Sequence, residues 1–221
     1  MQNSNSRIKR RRFRNLNVTD PADTWYIFKA NTSNNLLLTL KIEDLRKEIR
    51  RCRTMTSKPF GVNLTLLPAI VPPDNKAYAQ VIIDEGVKIA ETAGYSPGEI
   101  IKQLQTAGII IIHKCTTIKH ALSAEKLGVD FLSIDGFEAA GHIGETDIPN
   151  TVLLRRAAQF LKIPFVASGR FADREGLAAA LAMGACGVNM GTRFMSTVNR
   201  LFIIILRRRL WREVRVILSC C

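Results

Sequence analysis

At 221 residues, 47% of them hydrophobic, the chain is long enough for one domain with a sizeable core. Its formal net charge of +13 is carried by the ends: residues 58–198 hold 13 Lys or Arg against 13 Asp or Glu, so the whole excess lies in 1–57 and 199–221. The odd count of 5 cysteines without a C-x-x-C pair argues against a disulfide framework, and the apolar run 201–206 is too short to cross a bilayer.

The amino-terminal stretch 1–41 is polar, weakly periodic and of uncertain structure, and it includes the basic run RIKRRRFR at 7–14. Charge alone does not choose among nucleic acid, anionic lipid and a solvated tail. With no aromatic interleaving or recognition fold, no specific nucleic-acid partner is expected. The early basic stretch leads into polar sequence rather than an apolar segment, so the expected location is cytoplasmic or another intracellular compartment.

Residues 42–52 predict a charged amphipathic helix with Leu45 and Ile49 on one face. Strands are expected at 60–64, 87–91, 109–113, 131–134, 164–167 and 187–190, separated by helices over 77–85, 97–106, 118–127, 151–161 and 173–183. The strands read as apolar throughout, as when both faces are covered. That pattern predicts a parallel β/α protein, either a barrel or an open doubly wound sheet. Six strands follow Lys58, whereas a closed barrel needs eight. Upstream, only 26–28 and 36–40 offer weak strand candidates. Two uncovered sheet edges are therefore expected, to be shielded by the chain's own ends, by an oligomer or by a partner.

Chemistry-bearing residues cluster where strands end. Two glycine-containing turns, Ala167-Ser168-Gly169-Arg170 and Asn189-Met190-Gly191-Thr192-Arg193, follow successive late strands. Their amides suit a phosphate, which β/α barrels commonly bind after the seventh and eighth strands, or they simply make tight turns. In the loop after 131–134, His142 stands between Gly141 and Gly144 and is either a proton-abstracting base or a structural histidine. Asp135 and Glu138 either orient it or are solvated. Asn63 and Lys114, at strand ends, fit the edge of a flavin ring and the place where negative charge develops on reduction. Taken singly, each also reads as an ordinary polar residue. Cys115 and Cys186 read as buried small side chains, and His113 and His120 as structural or exposed. No metal site is expected.

The stretches FGVNL, IIHKCTTIKHALSAEKLGVDFLSIDGFEAAGHIGETDIP and IPFVASGRFADREGLAAALAMGACGVNMGTRFM resemble nitronate monooxygenases, formerly 2-nitropropane dioxygenases, over about residues 42–197. GHIG and GTRF also resemble the related FMN-dependent enoyl-ACP reductases. The resemblance implies an FMN-binding (β/α) TIM-barrel-like fold, here incomplete. In it Asn63 and Lys114 contact the flavin, while Gly169, the Arg170 amide, Gly191 and Thr192 hold the phosphate. His142 takes the place of the family's catalytic base. The implied activity is oxidative denitrification of alkyl nitronates or nitroalkanes, with molecular oxygen, to a carbonyl compound and nitrite. The alternatives are an FMN-dependent enoyl-ACP reductase-like oxidoreductase, and an inactive truncated member or basic binding fragment.

Three departures accompany the resemblance. The family has Gly-Gly where this chain has Gly169-Arg170, so a positive φ at the second position would strain Arg170 by about 1–2 kcal/mol. The family's first strand and glycine-containing second unit are not recognised in 1–57, and after Thr197 the sequence diverges into a basic, hydrophobic tail at 199–221. The expected division is thus 1–41, a partial FMN-binding barrel over 42–198, and that tail.

Overall fold

The computed structural model describes residues 26–29, 42–66, 73–96, 98–139 and 146–195, with the backbone alone for 26–29, Thr192 and Met195. His142, the strand candidate 36–40, the basic run 7–14 and the tail 199–221 lie outside the described residues.

The strands are β1 (Tyr26–Lys29), β2 (Phe60–Leu66), β3 (Ile89–Gly94), β4 (Ile110–Cys115), β5 (Phe131–Asp135), β6 (Phe165–Ser168) and β7 (Val188–Asn189). Between and after them come α1 (Ile42–Met55), α2 (Asn75–Asp84), α3 (Gly98–Thr106), α4 (Ile118–Lys126), α5 (Asn150–Phe160), α6 (Arg174–Ala182) and the short α7 (Thr192–Met195). All strand pairs are parallel, and the sheet order is β1-β2-β3-β4-β5-β6-β7 with no reversal.

That order decides between the two predicted architectures. A doubly wound sheet reverses its strand order and places helices on both faces. Here a single register row, Val62–Ala90–Ile111 continued by Leu132–Phe165 and Ala167–Val188, meets helix residues from every crossover. Leu45 and Ile49 of α1, Val81 and Ile82 of α2, Ile101 and Leu104 of α3, Leu153 and Leu154 of α5 and Ala180 of α6 belong to that one core. Helices on one face only make the six strands β2 to β7 a curled, incompletely closed half-barrel, and β1 extends it at one edge.

One expectation changes. The strands alternate rather than reading apolar throughout: the helix-facing row is hydrophobic, and the opposite row turns polar toward the carboxyl ends. The weak strand candidate at 26–28 does form: Tyr26–Lys29 pairs in parallel with Phe60–Asn63. Its signal is weak in the sequence because four residues carry little periodicity and the pairing partner lies over thirty positions away. β3 begins at Ile89 because the Val87 amide is still used by α2, donating to the Ile82 carbonyl at 3.0 Å after Gly86 turns left-handed at φ 63°. At the amino-terminal side of β3, Glu85 ties α1 to α2 through Arg50 at 2.8 Å and Arg46 at 3.0 Å.

Candidate functional site

The helix-free face is where the sheet's polar side chains collect. Register pairing lines up Asn63 with Glu91, Lys114 with Ser133, and Asp135 with Ser168 and Asn189. Asn63, Glu91, Ser133, Asp135 and Ser168 are all buried. Polar burial of this density, opposite an apolar core, needs either internal satisfaction or a ligand.

Lys114 is the hub. Its Nζ lies 3.9 Å from Glu91 Oε1 and 3.7 Å from Asp135 Oδ2, so one cation sits between two carboxyl groups. Burial pushes Glu91 and Asp135 up from the usual carboxylate range, against the pull of Lys114. Asp135 is also held down partly by hydrogen bonds from Ser168 and Ser133, the latter 3.4 Å away. For Lys114, burial alone would lower the ammonium, but Glu91 and Asp135 together outweigh it and the net shift is upward. The site thus keeps a fixed positive charge at neutral pH.

Two oxygens on this face have no hydrogen-bond partner among the described residues, Asn63 Oδ1 and Glu91 Oε1. Asn63 is oriented by donating from Nδ2 to Thr65 Oγ1 at 3.2 Å.

At the end of β6, Gly169 has φ 94° and Arg170 φ 59°, so the turn takes two successive left-handed residues. A Cβ at Gly169 would come within 3.0 Å of the Ala139 amide nitrogen, so no larger residue fits there without a shift. Arg170 therefore carries the strain that its replacement of a second glycine implies. The following helix, α6, is capped by its own Asp173, whose Oδ1 accepts from the Gly176 amide at 2.8 Å. That cap satisfies one of the amides left unpaired at the helix start. Gly191 precedes α7, and among the described residues a Cβ there would meet nothing within 4 Å.

The loop after β5 is bound to the β6 turn by Asn150, at the start of α5. Asn150 Oδ1 accepts from the Gly136 amide at 2.9 Å, and Nδ2 donates to the Gly169 carbonyl at 2.7 Å. Its own amide donates to both oxygens of Glu138, at 3.1 and 3.2 Å. Glu138 and Asp135, read from the sequence as orienting groups for His142 or as solvated, are thus engaged with Asn150 and with Lys114.

The structure brings Asn63 and Lys114 onto one face with Glu91 and Asp135, and places Gly169, Arg170, Gly191 and Thr192 at the ends of the neighbouring β6 and β7. Glu91 and Asn150 went unread in the sequence. Glu91 was legible only as a charge closing an apolar strand, and Asn150 only as a helix-start residue. His113 faces the helices instead, buried, with Nδ1 2.8 Å from Thr92 Oγ1 and its imidazole pushed down to about 4 by burial. Cys115 is buried as expected, whereas Cys186, in the α6–β7 connection, is exposed. Among the described residues no group of three or more His, Cys, Asp or Glu could hold a metal ion, and no helix is long and apolar enough to cross a membrane.

Single-sided winding, uninterrupted parallel order and polar side chains gathered toward the strand carboxyl ends define the class, a β/α-barrel-type protein with a polar face opposite the helices. The sequence matches the nitronate monooxygenase family over residues 37–210, extending past Thr197, where the motif-based resemblance stops. A (3aS,4S,5R,7aS)-5-hydroxy-7a-methyl-1-oxo-octahydro-1H-indene-4-carboxyl-CoA dehydrogenase of Rhodococcus jostii is 38% identical over 159 residues, covering 72% of this chain and 43% of that protein. A probable nitronate monooxygenase of Staphylococcus haemolyticus is 31% identical over 194 residues, covering 69% and 54%. FabK from Thermotoga maritima shares the fold with a TM-score of 0.71 at 34% identity, covering 76% of this chain and 52% of that one. The chain belongs to the nitronate monooxygenase family and spans about half the length of the curated relatives it matches.

Proposed function

We propose that this chain forms the FMN-binding part of an oxidoreductase that acts on an acyl thioester. The observation that carries the flavin part of the reading is Lys114, held charged between buried Glu91 and Asp135 on the helix-free face, beside two acceptor oxygens without donors among the described residues. A flavin nucleotide fits this donor set. It offers hydroxyl and N–H donors to the orphaned oxygens, negative charge to Lys114, and a phosphate to the left-handed turn at Gly169 and the open turn at Gly191. FMN, when bound, supplies reversible acceptance of electrons or hydride. The chain's own part is to bind and orient it: Asn63 and Lys114 toward the flavin, Gly169, the Arg170 amide, Gly191 and Thr192 toward the phosphate. The ammonium of Lys114 stabilises negative charge developing nearby. His142, by the family resemblance, handles a proton on the substrate.

A thioester substrate is supported by the 38% identity over 159 residues to a carboxyl-CoA dehydrogenase. The second reading, oxidation of alkyl nitronates or nitroalkanes to a carbonyl compound and nitrite, is supported by the family match across 37–210. Neither reading requires a metal.

The test begins with FMN titration of the purified chain, followed by absorption spectroscopy. Anaerobic bleaching by NADH or NADPH, with colour restored by an enoyl-CoA, supports the thioester reading. Oxygen uptake dependent on added nitronate, without bleaching by nicotinamide, supports the second. If nitroalkanes are turned over, His142→Ala should slow the neutral nitroalkane more than the preformed nitronate, and equal losses sink the base role. A folded protein with no affinity for FMN removes both readings.

A further inference from the structure

Asn63 and Glu91 are direct register partners on β2 and β3, and both are more than nine-tenths buried. Each carries an oxygen that accepts no hydrogen bond among the described residues. Both orphans are acceptors, and neither is explained by its nearest polar neighbour. Lys114 Nζ is 3.9 Å from Glu91 Oε1, close enough for attraction and too far for a hydrogen bond. Turning the Asn63 amide over would let the Thr65 hydroxyl, 3.2 Å away, donate to the oxygen but would leave Nδ2 unpaired in its place, so the amide keeps one unpartnered polar atom in either orientation. A sheet face built only for stability would carry aliphatic side chains at these positions, as Ile89 does two residues before Glu91 on the same face.

We infer that Glu91 is a cofactor-positioning residue that works with Asn63 as an acceptor pair, receiving hydrogen bonds donated by one bound flavin molecule. This inference rests on the flavin reading above and adds to it a residue that the family resemblance did not supply. The chemistry recognised is a donor group set against two adjacent acceptors. In a flavin nucleotide the donor is either a hydroxyl of the ribityl chain or the imide N–H of the ring. Position favours one shared ligand over two separate ones, since paired residues on adjacent parallel strands stand about 4.8 Å apart. Burial keeps the Glu91 carboxyl in its protonated form to a higher pH than usual, and a carboxyl or carboxylate oxygen accepts in either state.

A purely electrostatic role, with Glu91 serving only to hold Lys114, predicts that any loss of the negative charge is equally harmful. An acceptor role predicts that Glu91→Gln, which keeps the shape and an acceptor oxygen, retains affinity while Glu91→Met loses it. FMN, riboflavin and lumiflavin are titrated against the full chain and both variants, with flavin fluorescence as readout. The expected result is about tenfold weaker FMN binding in Glu91→Met and near wild-type binding in Glu91→Gln. A loss shared by riboflavin and lumiflavin assigns the donor to the ring, and a loss confined to FMN and riboflavin assigns it to the hydroxyl chain. Wild-type affinity in Glu91→Met, or equal losses in both variants, overturns the inference. Absence of FMN binding by the wild type overturns instead the flavin reading on which it rests. Should Glu91→Met fail to fold, the infrared band of the Glu91 carboxyl, assigned by its loss in Glu91→Gln, gives the answer in the unaltered chain. It shifts on FMN addition if Glu91 accepts from the ligand, and an unshifted band refutes the contact.

Discussion

Asn150 donates from Nδ2 to the carbonyl of Gly169 at 2.7 Å, and so one side chain at the start of α5 fixes the turn that ends β6. The same side chain accepts from the Gly136 amide at 2.9 Å, joining two strand-end loops through a single residue. Asn150→Ala leaves a buried amide and a largely buried carbonyl unpaired, and about 2 kcal/mol of stability should be lost. Asn150→Asp keeps the acceptor for Gly136 but turns an oxygen toward the Gly169 carbonyl, so it should not restore stability. Urea unfolding checks both. If FMN is bound, its affinity should fall in parallel in Asn150→Ala while lumiflavin, which has no phosphate, is affected less. A stability equal to wild type in Asn150→Ala would show that the two loops are held by other means.

Arg170 occupies φ 59° directly after Gly169 at φ 94°. A side chain in the left-handed region is strained, whereas glycine is not, although glycine also loosens the unfolded chain. The clean comparison is therefore between two substitutions that both remove the guanidinium. Arg170→Gly should be more stable than Arg170→Ala by about 1 kcal/mol, measured by thermal unfolding. Equal melting temperatures would mean that the turn relaxes out of the left-handed region.

Much of this fold is legible in the sequence because its strands are compact apolar runs punctuated by helices of ordinary length. Phe131–Asp135 and Ile110–Cys115 stand where their apolar residues place them to within a residue or two. What periodicity cannot show is lateral pairing. Tyr26–Lys29 becomes a strand only through β2, and Glu91 becomes a site residue only because register sets it beside Asn63 rather than against the helices. The choice between barrel-type and doubly wound sheets likewise depends on which face the crossovers cover, a property of the assembled sheet. Arg170 is the converse case, since its strain follows from a departure visible in the sequence and its φ is the one that strain requires.

His113 supplies a pH dependence of known sign. Its imidazole titrates near 6.5 when unfolded and is pushed down to about 4 by burial in the fold. Between those values the unfolded chain binds a proton that the folded chain does not, so this group's contribution is complete above about 6.5 and is lost as pH falls toward 4. The full span is worth about 3 kcal/mol. Glu91 and Asp135, raised in the fold, act in the opposite sense and reduce stability as pH rises past the ordinary carboxylate range. The wild-type curve therefore mixes the two trends, and the informative quantity is the difference from His113→Met. Unfolding free energies of the two proteins should diverge in the wild type's favour as pH rises from 4 to 6.5 and run parallel beyond. A constant difference would place the imidazole in contact with solvent.

Lys114→Met removes the only cation facing Glu91 and Asp135 among the described residues. Both carboxyls are then held by burial and by each other with no counter-charge, so both should titrate at still higher pH than in the wild type. At neutral pH the variant must either ionise two unpaired buried groups or hold protons against the solvent, and about 3 kcal/mol should be lost. As pH falls toward 4 both carboxyls take up protons, so there is less charge for Lys114 to balance and the loss should shrink. The gap between wild type and variant therefore widens as pH rises from 4 to 7, which urea unfolding at several pH values measures directly. Adding Glu91→Gln and Asp135→Asn to Lys114→Met should recover most of the lost stability, because the three groups act as one unit and their effects do not add. A loss of the same size at pH 4 and pH 7, unrelieved by the two amides, would mean that the aliphatic stem of Lys114 and not its charge supports the face.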